Sequence, residues 1–266
     1  MTRRPRLCAA LAVAAAAVTA FGLLGASGPA SAQVVAPTAV PLPADIGQLP
    51  STVKQLVTVE GGYTSTYATV TAWARVNGSW VVRMRTTGRV GYSGLSDMGV
   101  GIRRQSDGTT PTGLYKIGYG FGTGSNPGTS MWWRRFDRND YWSFDARDPK
   151  TYNVFQTQRP ATAYWRAYSP YSEHLYDLAS EYQYAFLINF NLPKSKPYQR
   201  ADGQWVTSSP ANTARGGGIF LHVNGSGATA GCVSVPRDRM LWLTRWFGPA
   251  YQPHIAIGTT SLIRSL

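Results

Sequence analysis

Two residues of this chain have the types and the spacing of a nucleophile and its base. His222 sits in the apolar run GIFLHV (218–223), and Cys232 follows ten positions later across the Gly-rich stretch NGSGATAG. A thiol near its ordinary pKa is only a few per cent ionised at neutral pH, so it needs a base or a positive environment to attack a carbonyl. The imidazole of His222 is such a base. If residues 224–227 turn the chain back, the stretches 218–223 and 231–235 lie side by side as in a hairpin, and His222 reaches Cys232. Gly231, lacking a side chain, leaves room for a substrate backbone. The amides of Gly231 and Cys232, with that of Ala230, are natural donors to an oxyanion.

The cysteine count sharpens this reading. The chain has two cysteines, Cys8 and Cys232. Cys8 lies in MTRRPRLCAALAVAAAAVTAFGLLGASGPASA (1–32), where a basic start, an apolar middle and Ala30-Ser31-Ala32 follow the order of a secretory signal peptide. Its removal leaves Cys232 alone, with no disulfide to form and no membrane span. The remaining chain, about 234 residues, is long enough to bury a core without disulfides. A lone thiol beside a histidine in an exported chain is better explained by chemistry than by structure.

The chain carries 26 basic and 13 acidic residues, a net charge of +13. Loss of Arg3, Arg4 and Arg6 with the signal leaves +10. An exported protein of that charge is expected to adhere to anionic cell-wall polymers. Nucleic acid is excluded as a partner because no helix presents a basic face and no nucleic-acid motif appears. The reading calls for neither a metal nor a cofactor.

The elements that must position the pair are mostly strands. After a Pro-rich linker (33–53), β-branched and aromatic residues dominate 54–60, 65–76 and 79–85, with Asn77-Gly78 as a hairpin signal between the last two. Further strands are expected at 112–118, 151–156, 183–191, 218–223, 231–235 and 254–258. One clear helix is expected at 236–248, where Met240, Leu243, Thr244 and Phe247 share a face and Gly248-Pro249 stops it. Its N-terminus is a possible source of positive potential for Cys232. A second helix is expected around 172–179. The fold class is therefore mainly β, in one domain (54–266) with a few helices.

These residues also carry a family resemblance. FLHV followed by TAGCVSVP is similar to the active-site segment of the L,D-transpeptidase catalytic domain, in the branch with a short His-to-Cys interval. SDGTTPTGLYKIG (106–118), NDYWSFDARDPKTYN (139–153) and SEHLYDLASEYQYAFLINFN (172–191) resemble further family segments in the expected order. The resemblance implies a sandwich- or barrel-like β domain that performs acyl transfer on peptidoglycan stem peptides in the cell wall. Cys232 would attack the third stem residue and expel the terminal D-Ala; a second stem's amine would then form a 3→3 cross-link. Attack by water would make the enzyme an L,D-carboxypeptidase, and both outcomes stay open. The resemblance places His174 and Ala230 along the cleft. Ser234, a candidate substrate contact, stands where many members have Arg or Asn, and Arg237 and Arg239 are candidates to hold a substrate carboxylate.

Other classes fit less well. A sortase would carry its cysteine in a T-L-x-T-C strand, which is absent. A papain-like hydrolase places its cysteine before its histidine. A redox thiol would need a resolving cysteine. A wall-binding module without catalysis would explain the charge and the aromatic residues, but it leaves Cys232 without a task.

Overall fold

The structure is a computed structural model that describes residues 49–97 and 103–266. The expected signal peptide (1–32) and the first part of the Pro-rich stretch lie outside the described residues. Its last residues are packed: Leu49 and Val53 are buried with Leu56, Trp73 and Ile263. Arg75 donates hydrogen bonds to the carbonyls of Leu49 and Pro50.

The described strands are β1 (Gln55–Gly61), β2 (Tyr67–Val76), β3 (Ser79–Arg89), β4 (Gly113–Gly122), β5 (Trp133–Arg135), β6 (Tyr141–Ser143) and β7 (Val154–Gln156). They continue with β8 (Ser172–His174), β9 (Ala185–Ile188), β10 (Tyr198–Gln199), β11 (Trp205–Val206), β12 (Phe220–Val223), β13 (Val233–Val235) and β14 (His254–Gly258). Two α-helices lie toward the C-terminus, α1 (Arg237–Trp246) and α2 (Thr260–Ser265). The fold is mainly β, as the sequence indicates.

The principal sheet runs β14-β1-β2-β3-β13-β12-β9-β4-β5, and β14 also pairs with β4. That extra pairing closes eight strands into a barrel-like sandwich, with β5 attached outside the ring. Closure removes most free edges, which would otherwise invite pairing with other chains. Asn77 and Gly78 have φ of 49° and 84° and join β2 to β3, the two positive angles that this tight turn requires.

Inward-facing side chains of the ring, including Val57, Val70, Leu221, Val233 and Ile255, form one core with Met240, Leu243 and Phe247 of the α1 segment. Burying Leu243 alone is worth roughly 1.5–3 kcal/mol. The opposite faces of β12 and β9 meet a second core that includes Trp142, Phe155, Tyr182 and Cys232. A small sheet, β7-β6-β8, builds the far side of this second core. Strand β12 is thus covered on both faces, which explains why FLHV reads as an unbroken apolar run.

Three expectations need correction. Residues 172–179 do not form an α-helix: Ser172–His174 is strand β8, and only Leu175–Leu178 makes a short 3-10 turn. The pairing of β8 with β6 takes the backbone hydrogen bonds that a helix would have used. The last residues form helix α2, capped by the Thr259 hydroxyl on the Leu262 amide, where no element was expected. The His and Cys strands pair in parallel, with His222 opposite Ser234, and not as a hairpin. The connecting loop is drawn back toward the start of β12 because Thr229 pairs with the segment after β3, through Tyr92 N to Thr229 O and Thr229 N to Val90 O.

Among the described residues no helix is long and apolar enough to cross a membrane.

Candidate active site

The parallel register decides what Cys232 and His222 can do to each other. Leu221 faces Val233, so Cys232 lies beside Phe220 and one diagonal step from His222. Alternate residues of a strand share a face, which puts Phe220, His222, Cys232 and Ser234 on the same side. Diagonal neighbours have Cβ atoms roughly 7–8 Å apart, within reach of a long side chain such as imidazole. Both Cys232 and His222 line one cavity of about 260 Å³. It is smaller than the roughly 300–1,000 Å³ of a typical ligand pocket, so it suits the reacting end of a substrate.

The thiol is held by backbone. The Phe220 amide donates to Sγ at 3.3 Å, and the thiol donates to the Gly218 carbonyl at 3.4 Å. The Cys232 carbonyl accepts from the hydroxyls of Thr229 at 2.7 Å and Thr110 at 3.2 Å. Burial is the main cause that pushes the thiol up to about 12, and the Glu173 carboxylate adds to it. The Phe220 amide and the Arg103 guanidinium act in the opposite direction.

The imidazole is held in one tautomer. His222 Nδ1 lies 2.8 Å from the Val223 carbonyl oxygen. A carbonyl only accepts, so Nδ1 carries a proton, and in the neutral ring Nε2 keeps its lone pair. Burial pushes the His222 pKa down to about 4, against a smaller upward effect of the Val223 carbonyl. The resting pair is therefore thiol and neutral imidazole. Such a pair can attack a carbonyl only if the proton leaves Sγ as the bond forms, the pattern of general-base catalysis.

Gly231 also meets a steric requirement within the protein itself. Its φ is +142°, and a Cβ there would fall 2.5 Å from Arg103 Nη2 and 2.9 Å from the Thr109 carbonyl oxygen. The missing side chain makes room for Arg103. The Gly231 amide donates to Thr229 Oγ1 at 3.1 Å, so it is already engaged.

The DGTT stretch explains the position of Arg103. Asp107 accepts from the Arg104 amide and from both the amide and hydroxyl of Thr109. The loop thus formed aims the Thr109 carbonyl at Arg103 Nε, 2.7 Å away, while Arg103 Nη1 reaches the Arg215 carbonyl. Arg103 is buried and lines the cavity. The sequence reading missed it, although Asp107-Gly108-Thr109 marks the turn that fixes it.

The other expected site residues divide. Ala230 lines the cavity. Ser234 is buried opposite His222, outside the cavity lining, and its hydroxyl has no hydrogen-bond partner. Arg237 is not in the cavity: it donates to Gln183 and lies over the Tyr184 ring. His174 stacks on Tyr141 and bonds Asp177 and the Arg138 carbonyl. Its strand neighbour Glu173 points to the other face and lines the cavity instead. The N-terminus of α1 is separated from Cys232 by the three residues of β13, about 10 Å of strand, so its dipole does not reach the thiol.

Residues 69–260 match the family model for the YkuD-type L,D-transpeptidase catalytic domain. The chain belongs to that family. No curated protein matches it. An L,D-transpeptidase domain acts on peptidoglycan peptides, and this function in the cell wall points to a place outside the cytoplasm. Within the L,D-transpeptidase domain the segments FLHV and TAGC frame the cavity just described.

Proposed function

We propose that this protein is an exported L,D-transpeptidase in which Cys232 is the nucleophile and His222 its general base. The observation that carries the reading is an imidazole, fixed through Nδ1 to the Val223 carbonyl, on the same sheet face and in the same cavity as the buried Cys232 thiol. Sγ attacks the carbonyl of the third stem residue while its proton passes to His222 Nε2. The tetrahedral oxyanion is met by the Cys232 amide. His222 returns the proton to the departing D-Ala amine, leaving a thioester on Cys232. An amine from a second stem then attacks the thioester and closes a 3→3 cross-link. Water in place of the amine gives the carboxypeptidase product.

Arg103 is our candidate for the donor's terminal carboxylate. It is the buried cation of the cavity lining, and charge-assisted bonds to a carboxylate are the strong ones. The signal peptide (1–32) is removed, the Pro-rich stretch spans part of the wall, and the basic surface holds the enzyme to anionic polymers. N-terminal sequencing of the secreted protein should start near Gln33; an intact Met1 would refute export by cleavage.

Mass spectrometry of products tests the reaction. A tetrapeptide stem with an acceptor stem should give a cross-linked dimer and free D-Ala. Tripeptide alone would favour the hydrolase. No change in either stem would overturn the reading.

A further inference from the structure

Behind the cavity lie two side chains that the mechanism above does not use. Tyr182 is almost fully buried in the short 3-10 turn Glu181–Gln183. Its ring stands edge-on to His222, centroids 5.2 Å apart, and to Phe220 at 5.5 Å. Its hydroxyl donates to Glu173 Oε2 at 2.7 Å. Tyr182 and Glu173 both line the cavity that holds Cys232 and His222. Strand alternation explains the arrangement: in β8, Glu173 faces the cavity and His174 faces away.

We propose that Tyr182 and Glu173 form a hydrogen-bond switch on the Cys232 thiol, with Tyr182 the group that faces Sγ and Glu173 the residue that sets its direction. This rests on the reading of Cys232 as nucleophile. When Glu173 is ionised, its carboxylate holds the Tyr182 hydroxyl hydrogen, and its charge opposes a thiolate nearby. When Glu173 carries a proton, it donates to the Tyr182 oxygen. The Tyr182 hydrogen then turns to Sγ and stabilises the developing thiolate. Only a proton exchanged with solvent enters or leaves, so the switch needs no other reactant.

The electrostatics agree with this direction. Burial pushes Glu173 up to about 7, against the opposing hydrogen bond from Tyr182. Glu173 is half-buried, and its carboxylate accepts from the Tyr182 hydroxyl at the cavity wall. The other titratable or charged groups around the pair are His222, Cys232, Glu181 and Arg103. Burial moves His222 down to about 4 and Cys232 up to about 12, away from the region where Glu173 changes charge. Glu173 raises the thiol pKa, and the Tyr182 hydrogen bond lowers it.

The test is the pH dependence of Cys232 alkylation by iodoacetamide, which reads the thiol without any stem peptide. Wild type, Glu173→Gln and Tyr182→Phe are compared from pH 5.5 to 9, with Cys232→Ala to confirm the labelled site. Gln has no charge and still donates to Tyr182, so it mimics protonated Glu173. The ratio of the Glu173→Gln rate to wild type should be near one below pH 6 and rise several-fold above pH 8, with its midpoint near 7. Tyr182→Phe should slow alkylation by roughly tenfold below pH 6, the usual order for losing a bond to a charged group. A ratio flat with pH, or Tyr182→Phe alkylated as fast as wild type, overturns the proposal. A purely structural role would lower stability without moving the ratio's midpoint. Wild-type alkylation alone gives a second check, since its rate should rise less steeply with pH above 7 than below it; a constant slope contradicts the switch. If no variant turns over stem peptides while the ratio behaves as expected, the proposed function fails and the switch stands.

Discussion

The side-chain oxygen of Asn153 accepts a hydrogen bond from the Gly218 amide at 2.8 Å, and the Gly218 carbonyl accepts the thiol hydrogen of Cys232. A buried amide in a turn thus positions the Cys232 thiol through one intervening residue. The same Asn153 oxygen accepts from Trp142 Nε1, and its Nδ2 donates to the carbonyls of Phe190 and Asn191. Asn153 has φ of 58°, a conformation that Asn tolerates better than most residues.

Asn153→Ala should therefore weaken both stability and acylation. Removing this amide leaves buried donors and acceptors unpaired, a loss of about 2–4 kcal/mol. For a domain of this size that is a fall in Tm of roughly 5–15 °C. Calorimetry measures the first effect, and the rate of carbapenem adduct formation measures the second. An unchanged Tm would show that Asn153 does not hold the site together.

Gly231→Ala should be destabilising by about 2 kcal/mol or more. The residue would be forced to keep a left-handed φ, and its Cβ would overlap Arg103 and the Thr109 carbonyl. Arg103 can move its guanidinium, but the Thr109 carbonyl is backbone. Denaturant unfolding checks this. A variant as stable as wild type would mean that the Arg103 loop yields freely.

The pairing of Cys232 with His222 in one cavity was legible in the sequence because both residue types are rare in the chain and the two positions are close together. The strands were legible because β-branched and aromatic residues crowd them, and the Asn77-Gly78 turn has one dominant solution. The parallel course of β12 and β13 was not legible: it depends on Thr229 pairing with residues 90–92, far away in sequence. His174 is expected along the cleft only from the resemblance, and the alternation of β8 turns its neighbour Glu173 toward the cavity instead. Arg103 was hidden for a similar reason. Nothing local in IRRQSDG distinguishes Arg103 from Arg104 until the Asp107 turn is built.

The His222 pKa has a stability consequence. Its folded value is about 4, below the 6.5 of an exposed imidazole. Between pH 6.5 and 4 the unfolded chain binds a proton that the folded one refuses. His222 therefore costs stability as pH falls through that window, up to roughly 3 kcal/mol at pH 4 and below. Glu173 acts the other way. Its raised pKa means that the folded state binds the extra proton between about 7 and 4.5, so stability grows as pH falls there. Comparing wild type with His222→Gln isolates the first effect. The stability gap should shift in favour of the variant between pH 6.5 and 4; a gap independent of pH would contradict a depressed His222.

The same pKa shapes the rate. Carbapenem acylation of wild type should show no loss from imidazole protonation near pH 6.5, because Nε2 stays unprotonated down to about pH 4. His222→Ala should slow acylation by about two orders of magnitude, the usual size of a general-base contribution. A clear half-loss at pH 6.5 that vanishes in the variant would place the imidazole in solvent.

Arg103→Ala should lose recognition of the donor terminus. Wild type is expected to prefer a tetrapeptide over the tetrapeptide amide and over a pentapeptide. Without a carboxylate the buried guanidinium would forgo a charge-assisted bond and keep only its carbonyl partners and its ion pair with Asp107. In the variant, KM for the tetrapeptide should rise at least about tenfold, and the preference over the amide should shrink. Equal rates for all three donors in wild type would favour a less selective thiol hydrolase.

The most direct measurement is the intact mass of the protein after incubation with a tetrapeptide donor, for wild type and Cys232→Ala side by side. The account predicts an acyl adduct on Cys232 and released D-Ala for wild type. It predicts neither for Cys232→Ala, whose near-ultraviolet circular dichroism remains native. Release of D-Ala by Cys232→Ala at the wild-type rate would contradict the assignment of Cys232 as the nucleophile.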